Sequence, residues 1–117
     1  MADIIFQIPP RIVFGAGSAH RVGEEAKNFG ATAMVVTGRT STTRTGALDT
    51  VIASLEAAGM TAVKFAEVES DPSVATVEKG AALARDNGVD VLVALGGGSP
   101  MDAAKGIAIL LANEGPI

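Results

Sequence analysis

The chain has 117 residues, a net charge of −4, one His, no Cys, no Trp and no Tyr. An apolar content of 48% excludes a disordered chain. The missing Cys excludes disulfides, thiolate metal sites and a Cys nucleophile, and His20 alone cannot make a His-rich metal centre. The acidic balance argues against binding to nucleic acid or an anionic membrane. No apolar run nears the ~20 residues of a membrane span, and the opening Met1-Ala2-Asp3 lacks the basic start of a signal peptide, so a soluble cytoplasmic domain is expected.

Residues 4–8 (IIFQI) and 11–14 (RIVF) read as strands split by Pro9-Pro10. Ala19–Phe29 reads as a helix, with Val22, Ala26 and Phe29 in register. Three units of one plan follow. The segments 32–37 (TAMVVT), 61–66 (TAVKFA) and 90–95 (DVLVAL) read as strands. The first and third have the continuous apolar character of strands covered on both faces of a parallel sheet. Helical stripes lie between and after them: Leu48, Val51, Ile52 and Leu55 in 46–58; Val74, Val77, Ala81 and Ala84 in 73–87; Ala104, Ile107 and Leu111 in 100–112. Gly30, Gly59 and Gly88 stand where a helix hands over to a strand, as left-handed C′ residues would. Asp71-Pro72 breaks the chain before the 73–87 helix. The alternation predicts right-handed βαβ crossovers and an α/β fold: a Rossmann-like parallel sheet with helices on both faces, plus an N-terminal strand pair. With 21 Ala and 12 Val against four Phe, such a core relies on close helix–sheet approach rather than on large aromatic anchors.

Three stretches carry possible chemistry. Gly15-Ala16-Gly17 begins like a dinucleotide fingerprint, but His20 stands where its third small residue belongs, so an ordinary strand-to-helix turn is the better reading. His20 itself reads as a surface or capping histidine. The run Gly96-Gly97-Gly98-Ser99-Pro100-Met101-Asp102 leaves the most apolar strand and opens a helix. Ser99 is expected as N-cap, Pro100 at N1 and Asp102 at N3. The free N–H groups and positive helix end would then offer a pyrophosphate site at the carboxyl edge of the sheet. Asp102 serves equally as half of a capping box, and Lys105 as a solvated helix residue. The segment Thr37–Gly46 leaves a strand at the same edge. It carries hydroxyls, Arg39 and Arg44, and has no acid. An acid at the end of such a strand usually binds the ribose 2′-hydroxyl of NAD. Here Gly38, Arg39, Thr40 and Ser41 would instead accommodate a 2′-phosphate. A plain polar loop has the same composition. Glu24, Glu25, Glu67 and Glu69 are expected to face solvent.

At GGGSPMDAAK (96–105) the sequence resembles the iron-containing, or group III, alcohol dehydrogenases, relatives of glycerol dehydrogenase and dehydroquinate synthase. The resemblance includes residues 8–17 (IPPRIVFGAG), the strand ending at Thr37, and Asp71-Pro72 where the family often has Asn-Pro. It implies that residues 1–117 are a Rossmann-like dinucleotide-binding domain. By position, Gly97, Gly98 and Ser99 would contact the pyrophosphate, and Asp102 would approach the nicotinamide end. Gly38 with a basic, hydroxyl-rich loop matches members that use NADP, whereas Asp there accompanies NAD. The family's divalent metal, Fe or Zn, is held by one Asp and three His in a C-terminal helical domain, and a Thr-rich segment closes over the cofactor. Neither is in these 117 residues. The resemblance therefore implies the cofactor-binding part of an enzyme that moves hydride between a small alcohol or aldehyde and NADP(H). For this chain alone it implies no catalysis and weak or no cofactor binding. Two other readings are a flavodoxin-like FMN module, disfavoured by the lack of Trp and Tyr, and a non-catalytic folded fragment. The IIFQI strand, as an exposed edge, would favour a homodimer.

Overall fold

The computed structural model describes residues 4–6, 11–14, 22–28, 30–38, 46–96 and 98–112. Five strands are present: β1 (Ile4–Phe6), β2 (Arg11–Phe14), β3 (Thr32–Gly38), β4 (Thr61–Val68) and β5 (Val91–Leu95). Four helices accompany them: α1 (Val22–Ala26), α2 (Ala47–Ala57), α3 (Val74–Asp86) and α4 (Gly98–Ala112). The strands form one sheet in the order β1-β2-β5-β3-β4. β1 and β2 are antiparallel; the pairs β2–β5, β5–β3 and β3–β4 are parallel. The expected α/β class, the strand pair and the helices on both faces are therefore present. The Gly15–Gly17 turn and His20 lie outside the described residues.

Alternation along the strands divides the core in two. Met34, Val36, Phe65, Leu92 and Ala94 face α3 and α4, where they meet Ala81, Ala84, Ala104 and Ile107. Ala33, Val35, Val91, Val93 and Leu95 face α1 and α2, where they meet Val22, Ala26, Leu48, Val51 and Leu55. The distribution follows from the order of the strands. The β2-to-β3 and β3-to-β4 crossovers travel in one direction, and the β4-to-β5 crossover returns past β3. Right-handed connections then put α3 on the opposite face from α1 and α2. β3 and β5 are buried along their lengths, as their apolar runs predict. β4 is an edge strand, and Lys64 and Glu67 on it are exposed.

The small residues act where backbones approach. A side chain at Gly80 would run into Ile107 and the Phe65 ring, which lets α3 settle between α4 and β4. A Cβ at Gly23 would fall inside the van der Waals radius of the Ser54 carbonyl oxygen. The Gly23 N–H also donates to Ser54 Oγ at 2.8 Å, fixing the short α1 against α2. Gly59 and Gly88 have φ of 86° and 64°, the left-handed helix stops anticipated from the sequence. Val74, expected on the inward stripe of α3, is 76% exposed. It is the first helical residue after the Ser73 cap, where the chain has just turned out of the sheet, and the buried stripe begins further along at Gly80, Ala81 and Ala84.

The amino edge of the sheet is stitched shut. The Ala31 and Thr32 N–H groups donate to the Asp90 carboxylate at 3.1 and 2.9 Å. The Asp90 N–H donates to the Thr32 carbonyl, and the Thr61 N–H to the Ala31 carbonyl, both at 3.0 Å. Gly30 leaves the space that the Asp90 side chain fills. Asp90→Ala, which strips both backbone donors of a charged acceptor, is expected to cost about 1–2 kcal/mol. Gly23→Ala, which drives a methyl group into the backbone of α2, is expected to cost about 2–3 kcal/mol. Urea denaturation midpoints at constant m-value check both.

Candidate functional site

The carboxyl edge is built differently. β2, β5, β3 and β4 all end there, at Phe14, Leu95, Gly38 and Val68. From β3 the chain crosses one way to β4, and from β4 it crosses back to reach β5 on the other side of β3. The crevice between the carboxyl ends of β3 and β5 is therefore a topological switch point, where open α/β sheets bind ligands. Thr37 pairs with Leu95 in the last register position of these two strands. Gly38 and Gly96, the next residues on each, leave the sheet side by side.

Each of these two glycines has a local reason. Gly96 has φ 120°, a region that side-chain-bearing residues avoid, and it turns the chain from β5 toward α4. At Gly38 a Cβ would find one neighbour within 4 Å, the Val68 carbonyl oxygen at 3.7 Å, so the place beside it is open. Thr37, just inside the edge, is a fully buried polar residue.

α4 starts at Gly98, two residues before the Pro100 start expected from the sequence. Ser99 thus lies inside the first turn rather than at the N-cap, Pro100 follows it within that turn, and Asp102 falls in the second turn, exposed. The capping-box reading of Ser99 and Asp102 does not hold for this helix. The glycine run, free of Cβ atoms, allows helical winding to begin before Ser99. The first turn carries no acid, so the positive end of the helix dipole is not offset locally, and the N–H groups of Gly98 and Ser99 have no acceptor within the helix. Of the candidate residues, Gly38, Gly96, Gly98, Ser99 and Asp102 are placed on this edge. Gly97, Arg39, Thr40 and Ser41 lie outside the described residues.

Two acids depart from the expectation of solvent exposure at the end of β4. Glu67 is exposed but paired with Lys79, Oε1 to Nζ 2.5 Å. Glu69 is half-buried, and its Oε2 accepts a hydrogen bond from Thr76 Oγ1 at 2.9 Å. Sequence spacing gave no hint of this, because the contact depends on where α3 returns across the sheet edge. Glu24 is exposed and pairs with Lys27 at 2.9 Å, as a surface residue. Among the described residues no group of three or more His, Cys, Asp or Glu could hold a metal ion, and no helix is long and apolar enough to cross a membrane.

Residues 9–117 match the family model for iron-containing alcohol dehydrogenase. The chain belongs to that family. It is 40% identical over 115 residues to NADH-dependent butanol dehydrogenase B of Clostridium acetobutylicum, a match covering 98% of this chain and 30% of the relative. It is 45% identical over 105 residues to the NADPH-dependent butanol dehydrogenase of Clostridium saccharobutylicum, covering 89% and 26%. The crystal structure of an archaeal alcohol dehydrogenase from a Red Sea brine pool superimposes with a TM-score of 0.80 at 40% identity, over 95% of this chain and 27% of that one. NADH-dependent butanol dehydrogenase A of Thermotoga maritima gives a TM-score of 0.79 at 33% identity, over 98% and 29%. The chain thus spans less than a third of the length of these iron-containing alcohol dehydrogenase relatives. Membership replaces the flavin-binding alternative, and the solved relatives share the Rossmann-like architecture of the sheet.

Gly96→Ala places a side chain at φ 120° and is expected to lower stability by about 1–3 kcal/mol. Gly46→Ala, at φ 79° with nothing within 4 Å of a Cβ, is expected to cost no more than about 1–2 kcal/mol. Comparing the two thermal unfolding midpoints separates the strain at the glycine run from ordinary left-handed strain.

Proposed function

We propose that residues 1–117 are the dinucleotide-binding domain of a metal-dependent alcohol dehydrogenase, and that the crevice between Gly38 and Gly96 holds the cofactor. The observation that carries this reading is the switch point itself: two glycines leave adjacent strands together, and an acid-free helix N-terminus opens beside them. In this reading the pyrophosphate lies against the first turn of α4, on the N–H groups of Gly97, Gly98 and Ser99. The adenosine ribose lies over Gly38, and Asp102 lies toward the nicotinamide. Arg39, Thr40 and Ser41 supply a cation and hydroxyls for a 2′-phosphate, which makes NADP(H) the cofactor of choice.

The nicotinamide would supply the hydride acceptor or donor for a small alcohol or aldehyde. This chain's part is to bind and orient that cofactor at the sheet edge. The iron that gives the family its name finds no ligand set among the described residues, so no step through a metal is assigned to this chain, and its isolated form is expected to be inactive. A cytoplasmic setting and a homodimer through the N-terminal edge strand belong to the same proposal.

Titration of the chain with NADP⁺ and NAD⁺ tests the reading. Weak binding with NADP⁺ preferred is expected, and a clear preference for NAD⁺ would remove the role given to residues 38–41. Gly38→Asp is expected to weaken NADP⁺ binding about tenfold or more through repulsion of the 2′-phosphate, with NAD⁺ largely spared. An alcohol oxidation assay with added Fe²⁺, Zn²⁺ or Ni²⁺ is expected to show no turnover.

A further inference from the structure

Relatives of similar identity, 40% and 45%, are named as NADH- and NADPH-dependent. The shared fold therefore does not choose between the two cofactors, and a side chain near the ribose must. The place where a dinucleotide fold usually carries its ribose-reading acid is Gly38, which has no side chain. The strand next to it ends differently. The β3–β4 ladder slips between Val36 and Gly38: Val36 pairs with Phe65, but Gly38 pairs with Val68. Three residues of β4 are taken up against two of β3. That extra residue returns Val68 to the core beside Phe65 and brings Glu69 immediately after the partner of Gly38.

Glu69 does not hang free at this position. Thr76, in the first turn of α3, donates its hydroxyl to Oε2 at 2.9 Å. The Thr76 N–H donates to Ser73 Oγ at 3.1 Å, and the two hydroxyls lie 3.1 Å apart. With the Thr76 proton committed to Glu69, the Ser73 hydroxyl donates to Thr76 Oγ1, and the three side chains make one relay. The relay ties the carboxylate to the N-cap of a 13-residue helix. The other oxygen, Oε1, is shielded from solvent. A fixed and shielded charge acts over a longer reach than a mobile one in water.

We propose that Glu69 is a specificity-determining residue of the crevice, a carboxylate supplied from β4 where β3 supplies none, which disfavours a 2′-phosphate and tolerates a 2′-hydroxyl. The proposal rests on the cofactor reading given above. It places two opposed influences on the same ribose: the cations and hydroxyls of residues 39–41 draw a 2′-phosphate in, and Glu69 limits how strongly. A phosphate monoester carries close to two negative charges at neutral pH, whereas the 2′-hydroxyl carries none, so the effect of Glu69 falls almost wholly on NADP⁺.

The test is the ratio of the dissociation constants for NADP⁺ and NAD⁺, read by NMR chemical-shift titration so that weak binding is visible. Glu69→Gln keeps the shape and still accepts from Thr76. It is expected to tighten NADP⁺ about tenfold relative to NAD⁺. Glu69→Asp keeps the charge and is expected to leave the ratio within about twofold of the unsubstituted chain. A Gln variant that changes both affinities by one factor, or neither, overturns the proposal and leaves the crevice reading intact. So does an Asp variant that shifts the ratio as far as Gln, since the effect would then be one of shape. If the unsubstituted chain binds neither dinucleotide at about 10 mM, the crevice reading fails and the role of Glu69 fails with it.

Discussion

The reversal of crossover direction around β3 is the constraint on which the rest of this structure depends. A chain that kept crossing the same way would put every helix on one face and leave the other face of the sheet bare. Returning past β3 to lay down β5 covers both faces, so β3 and β5 can be buried end to end. The same reversal parts the chain at the carboxyl ends of these two strands. Burial and the crevice are two consequences of one topological event.

The two edges of the sheet show the division of labour. At the amino edge, Asp90 satisfies the N–H groups of Ala31 and Thr32, and backbone bonds link residues 31 and 32 to Thr61 and Asp90. Polar groups there are spent on one another and hold the strands in register. At the carboxyl edge, Gly38 leaves an open place, Gly96 takes a φ that excludes a side chain, and α4 begins without an acid in its first turn. Small residues serve opposite ends in the two regions. Gly23 and Gly80 are filled against by neighbouring atoms, while Gly38 is left for something else to approach.

Much of this was legible in the residues. Thr32–Thr37 and Asp90–Leu95 announce themselves as central strands, because a continuous apolar run is stable only when both faces are covered. Gly59 and Gly88 mark helix ends, because a left-handed stop costs glycine least. The glycine run at 96–98 stands out because it weakens the chain unless something approaches it. Other features were misplaced. Ser99 looks like an N-cap by pattern, yet α4 starts at Gly98, since a cap is defined by where the preceding turn ends and not by residue type. Val74 fits the helical period but opens the helix in solvent. Glu69 looks like a surface acid, and its tether to Thr76 depends on a ladder slip that no local pattern records.

By itself the sequence determined the order of strands and helices, the α/β class, the parallel sense of the sheet and the resemblance to iron-containing alcohol dehydrogenases. These follow from local periodicity, turn residues and motif spacing, all written in short stretches of chain. Tertiary structure alone decided which strands are neighbours, that Gly38 and Gly96 emerge together, and that Glu69 ends beside Gly38. Those are relations between residues some 30 to 60 positions apart, set by crossover direction and strand register, and no local window of sequence contains them.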